Sequence, residues 1–257
     1  MTTMKQAAMT NRAAGAPPPD MGMAGATERA WMSQLSGARA WQPAPGPLLV
    51  VSPHPADEVL GAGGLIHSWA EAGHAVTVLS VTDGEAAYPG WRGLGDIRRQ
   101  ELTAALRQLA TKHVSLMRLA IPDGRVQEYQ NKLRNFLLSV AHPGITMIAP
   151  FERDGHPDYD SIGSVCCEIA RITATPLAKY LVWRWHHGDP AALQTESWGK
   201  FVLGINARHS KAHAVQSFGS LLRPPRYRPA VTADALRCFE RPFEAFVLNR
   251  PAEDSIR

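Results

Sequence analysis

The stretch LLVVSPHPADEVLGAGGLIHSWAEAGHAVTVLSVTDG, residues 48–84, decides the fold. It opens with four leucine and valine residues, as expected for a strand that is buried on both faces of a parallel sheet. A helix is predicted from Asp57 to Ala72, and Gly73 should end it, because glycine readily adopts the left-handed conformation that follows many helices. A second apolar run, Ala75 to Val81, predicts the next strand. The strand–helix–strand unit indicates an α/β domain.

The same alternation continues along the rest of the chain. Further strands are predicted over 114–119, 145–149 and 180–185, and the helices near them carry apolar residues on one face. The apolar stripes are Leu102, Ala105, Leu106 and Leu109; then Tyr129, Leu133, Phe136, Leu137 and Val140; then Ile162, Val165, Cys166, Ile169 and Ile172. Strands separated by amphipathic helices predict a mostly parallel sheet with helices on both faces.

Residues 1–46 differ from the rest in composition. Six of the eight methionines lie there, together with three consecutive prolines at 17–19. We expect a flexible or loosely docked N-terminal segment whose opening residues are disordered. Trp31, Leu35 and Trp41 are expected to dock a short helix onto a single domain that spans residues 47–250.

The composition excludes several classes of protein. Hydrophobic residues make up 45% and charged residues 19% of the chain, which is a normal globular balance. The formal charge of +4 is scattered, so no basic stripe indicates nucleic-acid binding. No apolar run is long enough to span a membrane, and no secretory signal opens the chain. Three cysteines without a CxxC motif favour a reducing cytoplasm, and an oligomer is compatible with this composition.

Polar residues follow the predicted strands at the points where they end. In open parallel sheets, ligands bind outside the carboxyl ends of the strands. A histidine and a carboxylate three residues apart, held in a proline-stiffened turn, can supply two ligands of a catalytic zinc site. Helix capping by the acids is the alternative interpretation. The candidate residues are His54, Asp57, Asp83, Asp123, His156 and Asp158.

Three of these turns together resemble the motifs of the LmbE/PIG-L deacetylases. The resemblance lies in His54–Gly64, Thr82–Ala86 and Asp154–Asp158, and it extends over about residues 45–248. It implies a Rossmann-like sheet and one divalent metal ion, usually zinc. It also implies hydrolysis of an N-acetyl group on a small molecule such as an amino sugar or a similar conjugate.

The resemblance also implies a role for individual residues. His54 and Asp57 match the first two metal ligands, whereas the third, normally a histidine, is Tyr159. The general base is normally an aspartate between the first two ligands, and here that residue is Ala56. His156 matches the histidine that stabilises the oxyanion or protonates the leaving group, so His156 and Asp57 are the expected catalytic residues. The residues expected to shape the substrate pocket are Arg98, Asp83 and Asp123.

Two departures from the family pattern weaken the expected chemistry. A positioned base typically contributes about 10²–10⁴ in rate, and Ala56 cannot accept a proton. Tyr159 would ligate a metal as phenolate, which is costly because its reference pKa is about 10. Glu58 is a less favoured source of the base, because its side chain should point elsewhere on the helix. The sequence therefore predicts a weakened zinc-dependent deacetylase or, alternatively, an inactive pseudoenzyme that keeps the fold as a ligand- or partner-binding module.

Two further features have competing interpretations. The glycine-rich run Gly61–Gly64 is compatible with a dinucleotide loop and an oxidoreductase, but it lies inside the predicted helix. Close packing of that helix on a strand is the favoured account. His186 and His187 follow the strand predicted at 180–185, and they either offer a replacement metal ligand or form a solvated edge of the core.

Overall fold

The computed structural model describes residues 26–110 and 112–249, so the disorder predicted for the opening residues lies outside them. Strands and helices alternate through most of the described chain. The strands are β1 Arg39–Ala40, β2 Leu48–Ser52, β3 Val76–Ser80, β4 Val114–Arg118, β5 Thr146–Pro150, β6 Leu177–Tyr180, β7 Ser197–Val202 and β8 Phe243–Leu248. The helices are α1 Glu28–Gln34, α2 Asp57–Glu71, α3 Leu94–Leu109, α4 Gln130–Val140, α5 Pro157–Thr173, α6 Arg184–His187, α7 Ile205–Gln216, α8 Gly219–Leu222 and α9 Ala233–Leu236.

The described strands form one sheet in the order β1-β7-β8-β6-β5-β2-β3-β4. Neighbouring strands are parallel except at β8, which is antiparallel to both β6 and β7. The register of β2 against β3 pairs Leu48 with Val76 and Ser52 with Ser80, so the two strands end together. The predicted α/β class and the mostly parallel sheet are confirmed.

Two apolar cores cover the two faces of the sheet. Leu48 and Val50 of β2 belong to one core, whereas Leu49 and Val51 belong to the other, because successive side chains of a strand point to opposite faces. Helices α2, α3 and α7 contribute to the first core, and α4 and α5 contribute to the second. All five residues of β2 are buried, which explains its continuous apolar run.

Helix α2 is broken at Ala62, and a buried ion pair joins its two halves. Ala62 has non-helical angles of φ −145° and ψ 15°. The Glu244 carboxylate accepts hydrogen bonds from the backbone N–H groups of Gly64 and Leu65, both at 2.8 Å, and so caps the second half. The Lys211 ammonium donates to the carbonyl of Leu60 at 2.8 Å and to Glu244 at 2.7 Å. The pair thus satisfies backbone groups on both sides of the break.

The glycines of α2 allow close packing rather than ligand binding. A Cβ atom at Gly61 would overlap the ring of Tyr180, and one at Gly64 would overlap the side chain of Leu203. Side chains therefore already fill the space beside the run. A dinucleotide phosphate has no room there, as the position of the glycines inside a helix indicates.

The strand predicted at 180–185 is wrong. Strand β6 lies earlier, at Leu177–Tyr180, where it pairs with β5, and residues 184–187 form the short helix α6. The Asp154 carboxylate accepts hydrogen bonds from three consecutive amides, those of residues 182, 183 and 184, at 2.8–3.2 Å. These bonds replace ladder hydrogen bonds and turn the backbone, so the apolar run continues past the end of the strand.

The N-terminal part of the described chain packs on the sheet. Trp31 and Leu35 are buried, and the indole N–H of Trp31 donates to the carbonyl of Trp185 at 3.0 Å. Arg241 forms a bidentate pair with Glu28 at the start of α1. None of the helices within the described residues combines the length and apolar character needed to cross a bilayer.

Candidate active site

Five polar residues meet outside the carboxyl ends of the parallel strands. His54 and Asp57 follow β2, Asp123 follows β4, and Asp158 and Tyr159 lie in the first turn of α5, after β5. Because β2, β4 and β5 run in one direction, their carboxyl ends share one edge of the sheet. This is the edge where α/β folds place their ligands.

His54 is the centre of this group. Its Nε2 atom lies 2.8 Å from Asp123 Oδ1 and 3.2 Å from Asp158 Oδ2. Its Nδ1 atom lies 3.4 Å from the Tyr159 hydroxyl and 3.5 Å from Asp57 Oδ2. Burial disfavours the charged imidazolium, but the charge of Asp123 and hydrogen bonds to the aspartates outweigh it, so the pKa of His54 lies well above its ordinary value. The surrounding carboxylates thus favour the protonated form of His54.

Three of these residues offer converging metal ligands. The ligand atoms of His54, Asp123 and Asp158 all lie within 4.8 Å of one another. One imidazole and two carboxylates fit a divalent ion, and the oxygen-rich set suits Mg²⁺ or Mn²⁺ as well as zinc. A metal ion would have to displace the proton of His54, since only neutral imidazole ligates. The three donors therefore suit a divalent metal ion, provided that His54 loses its proton when the ion binds.

Tyr159 fits a metal ligand less well. Burial and the neighbouring Asp57 raise the pKa of Tyr159 well above its ordinary value, so the phenol keeps its proton. A protonated phenol is a poor ligand. Geometry and charge together favour Asp123 and Asp158 over Tyr159 as partners of His54. The predicted ligand set of His54, Asp57 and Tyr159 is nevertheless brought together in space.

Asp158 was not predicted to contact His54. The sequence assigned it to the positive end of α5, and it does lie in the first turn of that helix. Its carboxylate also accepts hydrogen bonds from the backbone N–H groups of Gly124 at 2.8 Å and Val126 at 3.2 Å. Asp158 therefore fixes the loop after β4 against α5. Its place in the Asp154–Asp158 motif is the sequence signal that could have indicated this role.

His156 is a neutral hydrogen-bond donor beside His54. Its Nδ1 atom accepts a hydrogen bond from the backbone N–H of Asp158 at 3.2 Å, so the ring proton is assigned to Nε2. Burial and the charge of His54 lower the pKa of His156 to about 4. The ring packs edge-on against His54 and stacks on Trp183, with centroids 5.5 and 5.3 Å apart. A fixed, neutral N–H group is suited to bind a developing oxyanion.

Ala56 lies in strained backbone at the point where the family pattern has its base. Its φ of 105° is in the left-handed region, and its side chain is 1% exposed. The neighbouring Glu58 does not replace the missing acid. Glu58 Oε2 accepts a 2.6 Å hydrogen bond from the Ser52 hydroxyl, and Oε1 accepts one from the Ala56 amide. Both oxygens of the Glu58 carboxyl thus have hydrogen-bond partners at the turn that contains Ala56.

The buried Glu58 should make the stability of the protein depend on pH. Burial raises the pKa of Glu58 from 4.5 to about 7. Between these values the folded chain keeps a proton that the unfolded chain has lost, so the free energy of unfolding falls as the pH rises. The whole effect should be roughly 3 kcal/mol. We expect Glu58→Gln to flatten the profile in urea unfolding between pH 5 and 8.

The exposed Glu71 is the matched control, and Glu71→Gln should leave the profile unchanged. Parallel profiles for wild type and Glu58→Gln would show that Glu58 is ionised in the folded protein.

The other predicted pocket residues have protein partners. The buried Arg98 donates to the carbonyl of Gly84 at 2.8 Å, which fixes the loop after β3. Asp83 pairs with Arg118 at 2.6 Å and with Arg99 at 3.0 Å. Their role in substrate binding stays a prediction, and Asp123 is the one of the three that reaches His54.

The histidines after β6 lie apart from the donor set. His186 packs on Phe239 and lies 3.8 Å from the Cys238 sulfur, and burial lowers the pKa of His186 to about 4. His187 stacks on Trp183, with ring centroids 6.0 Å apart. This position agrees with the core-edge interpretation.

A larger surface concavity lies elsewhere. A groove of about 590 Å³ lies between the C-terminal ends of α2 and α3 and the start of α7, where its lining includes His67, Arg107 and His209. Because α2 starts at the carboxyl edge of the sheet and runs back across it, this groove lies at the opposite edge. It has no connection with the His54 group.

Comparisons with known proteins identify the motifs and the fold. Residues 49–170 match the family model PIG-L, described as GlcNAc-PI de-N-acetylase. No curated protein matches the chain in sequence. The fold resembles that of the conserved protein TT1542 from Thermus thermophilus, at a TM-score of 0.57 and 21% identity, covering 79% of this chain and 94% of that one.

Two deacetylases also share the fold. The A40926 pseudoaglycone deacetylase Dbv21 has a TM-score of 0.59 and 20% identity, covering 80% of this chain and 97% of that one. The N,N′-diacetylchitobiose deacetylase from Pyrococcus horikoshii has a TM-score of 0.52 and 19% identity, covering 72% and 71%. At these identities the similarity establishes the architecture.

Proposed function

The chain carries a PIG-L family domain over residues 49–170, and from this premise we propose that it is a metal-dependent N-deacetylase of low turnover. Its substrate would be an N-acetylated amino sugar or a similar conjugate, the class to which N,N′-diacetylchitobiose, named for one of the structural relatives, belongs. One observation carries the proposal. His54, Asp123 and Asp158 gather converging ligand atoms beside the neutral N–H donor of His156. The predicted cytoplasmic location and oligomeric state stay predictions.

The residues divide the chemistry between binding a metal and stabilising charge. His54, Asp123 and Asp158 would hold a divalent ion, with Asp57 as the neighbouring acid. When bound, such an ion lowers the pKa of water and polarises an acyl oxygen. The Nε2–H of His156 would donate to the oxygen of the acetyl group as negative charge develops there. A preformed donor of this kind typically contributes about 10²–10³ in rate.

We attribute low turnover to the loss of a carboxylate at the position where the family pattern has its base. Ala56 offers no carboxylate, Glu58 is engaged with Ser52, and Asp57 Oδ2 accepts the backbone N–H of His54 at 2.9 Å. The usual base position thus carries no carboxylate, and Asp57, whose Oδ2 is already engaged, is the nearest acid that remains. We therefore expect acetate release from N,N′-diacetylchitobiose that is slow, requires added metal and stops with a chelator.

A second function is favoured by the joint loss of the base and the third family ligand. Ala56 and Tyr159 each impair a different part of the reaction, as expected for a domain that binds its ligand without hydrolysing it. Metal-dependent acetate release by wild type would exclude this alternative. Absence of release from wild type and from variants with both residues restored would overturn the deacetylase proposal.

Restoring histidine at position 159 should strengthen zinc binding. Tyr159 keeps its proton, whereas a neutral imidazole is a good ligand at the same place, 3.4 Å from His54 in the present structure. Loss of even an outer-shell partner changes metal affinity about 10- to 100-fold, so Tyr159→His should tighten zinc by at least about tenfold. Elemental analysis after purification without added zinc, followed by titration with zinc, measures the difference.

The partly buried Tyr129 lies outside the site, so Tyr129→His is the matched control. Stoichiometric zinc in wild type, with no gain in Tyr159→His, would mean that Asp123 and Asp158 already complete the site.

A further inference from the structure

A second, smaller cleft is connected with the His54 group through the hydrogen bond from the Ala86 amide to Asp123. The loop between β3 and α3 forms it, with a volume of about 320 Å³. This volume is at the lower end of the range for small-molecule sites and is adequate for one ring. Its lining includes Glu85, Ala86, Tyr88, Pro89, Trp91 and Arg92.

Asp123 connects this cleft with the His54 group. The Ala86 amide donates to Asp123 Oδ2 at 2.9 Å, and the Asp123 amide donates to Glu85 Oε1 at 2.9 Å. The other oxygen of the same carboxylate lies 2.8 Å from His54 Nε2. The Asp123 carboxylate, itself a candidate metal ligand, thus contacts both the loop that lines the cleft and His54.

Tyr88 and Trp91 line the cleft, and they form a cluster of three aromatic rings with Tyr227. Trp91 and Tyr227 are nearly parallel, with an interplanar angle of 6° and centroids 5.7 Å apart, and Tyr88 stacks on Tyr227 at 4.8 Å. The Tyr88 hydroxyl accepts the amide of Ala230 at 3.0 Å, and the Tyr227 hydroxyl donates to the carbonyl of Pro89 at 2.8 Å. Both tyrosines are therefore fixed, and binding against the cluster costs little conformational entropy.

Trp91 is the member of the cluster that is available to a ligand. It is partly exposed, and its indole N–H donates no hydrogen bond within the described residues, unlike the two tyrosine hydroxyls. Exposed Glu85 and Arg92 lie at the rim, where they offer an acceptor and donors. An apolar ring face bordered by such groups matches a pyranose, whose C–H face is apolar and whose hydroxyls point outward from the edge.

We infer that this cleft binds a pyranose ring of the substrate and that Trp91 determines the specificity for it. The identity of the ligand rests on the proposed function, whereas the site itself rests on the cleft and its connection through Asp123. Stacking on Trp91 would hold the ring while the acetamido group extends toward His54. The tyrosines act by holding Trp91 in place.

Binding of N,N′-diacetylchitobiose to the full chain, measured by calorimetry and by saturation-transfer NMR, tests the inference. We expect the strongest saturation at the ring C–H protons of the sugar. Trp91→Ala should weaken binding roughly tenfold and remove that saturation, whereas Trp91→Phe should keep most of the affinity. Trp41→Ala is the matched control, since Trp41 is equally partly exposed but packs on Phe246. Thermal melts verify that each variant is folded.

Three results would overturn the inference: no binding of the sugar to wild type, equal affinity in wild type and Trp91→Ala, or Trp91-dependent binding of cyclohexanol without binding of the sugar. The last would assign the cleft to an apolar group. Trp91-dependent binding without acetate release from any variant would support the cleft and reject the deacetylase. Acetate release with binding that does not depend on Trp91 would support the deacetylase and reject the cleft.

Discussion

Ala56→Asp should raise the rate of acetate release by roughly 10²–10⁴, the usual contribution of a positioned general base. The backbone can accept the change, because aspartate tolerates the left-handed region better than alanine does and φ of residue 56 is 105°, but burial of the new carboxylate should lower stability. The new carboxylate would arise between His54 and Asp57, where the wild-type chain has a buried methyl group. Acetate release from N,N′-diacetylchitobiose with added zinc is the measurement.

Ala56→Asn tests whether proton acceptance by the new side chain, rather than its size and shape, causes the gain in rate. Asparagine has nearly the same volume and backbone preference as aspartate but accepts no proton, so it should give no gain. Equal rates for the two variants would show that the missing base does not limit the reaction. If Ala56→Asp gains activity only together with Tyr159→His, then metal retention limits the rate first.

Lys211→Met should destabilise the protein by about 3–5 kcal/mol, the cost of leaving one member of a buried ion pair without its partner. Lys211 and Glu244 are each 4% exposed. Methionine would leave the Glu244 charge unpaired and the carbonyl of Leu60 without its donor. Both losses fall at the break in α2, close in sequence to Asp57. Urea unfolding measures the change.

The double variant Lys211→Met, Glu244→Gln should be less destabilised than Lys211→Met, because no uncompensated charge remains. The exposed Lys112 supplies the control, and Lys112→Met should change stability by less than about 0.5 kcal/mol. If Lys211→Met unfolds at the same urea concentration as wild type, the pair does not stabilise the broken helix.

The fold was predictable where local pattern determines structure. The apolar run of β2 and the helix ended by Gly73 both follow from side-chain period and backbone preference. The end of β6 was not predictable from local pattern. The backbone turns there because it donates hydrogen bonds to the carboxylate of Asp154, a residue distant in sequence. Strands β7 and β8 also escaped prediction. No periodic pattern marks β8, which is the one antiparallel strand found in the described sheet.

The candidate site was predictable only where local sequence motifs mark its residues. The turns with His54 and His156 could be identified from motif and position. The order of the strands, which the sequence does not specify, determines which acids meet His54. Asp123 and Asp158 come from different loops, and their contact with one imidazole emerges only from that order. The sequence therefore placed Asp158 among the candidate residues at the strand ends, with helix capping as the alternative, but did not predict its contact with His54.

The antiparallel strand has a consequence for how the protein is made. Strand β8 inserts between β6 and β7, so the two strands β1 and β7 cannot join the rest of the sheet until residues 243–248 have left the ribosome. Until β8 has been synthesised, the edge of β6 has no strand to pair with, and Lys211 lacks its partner Glu244. A nascent chain that stalls before β8 therefore exposes an unpaired strand edge, the surface on which chaperones act and aggregates begin.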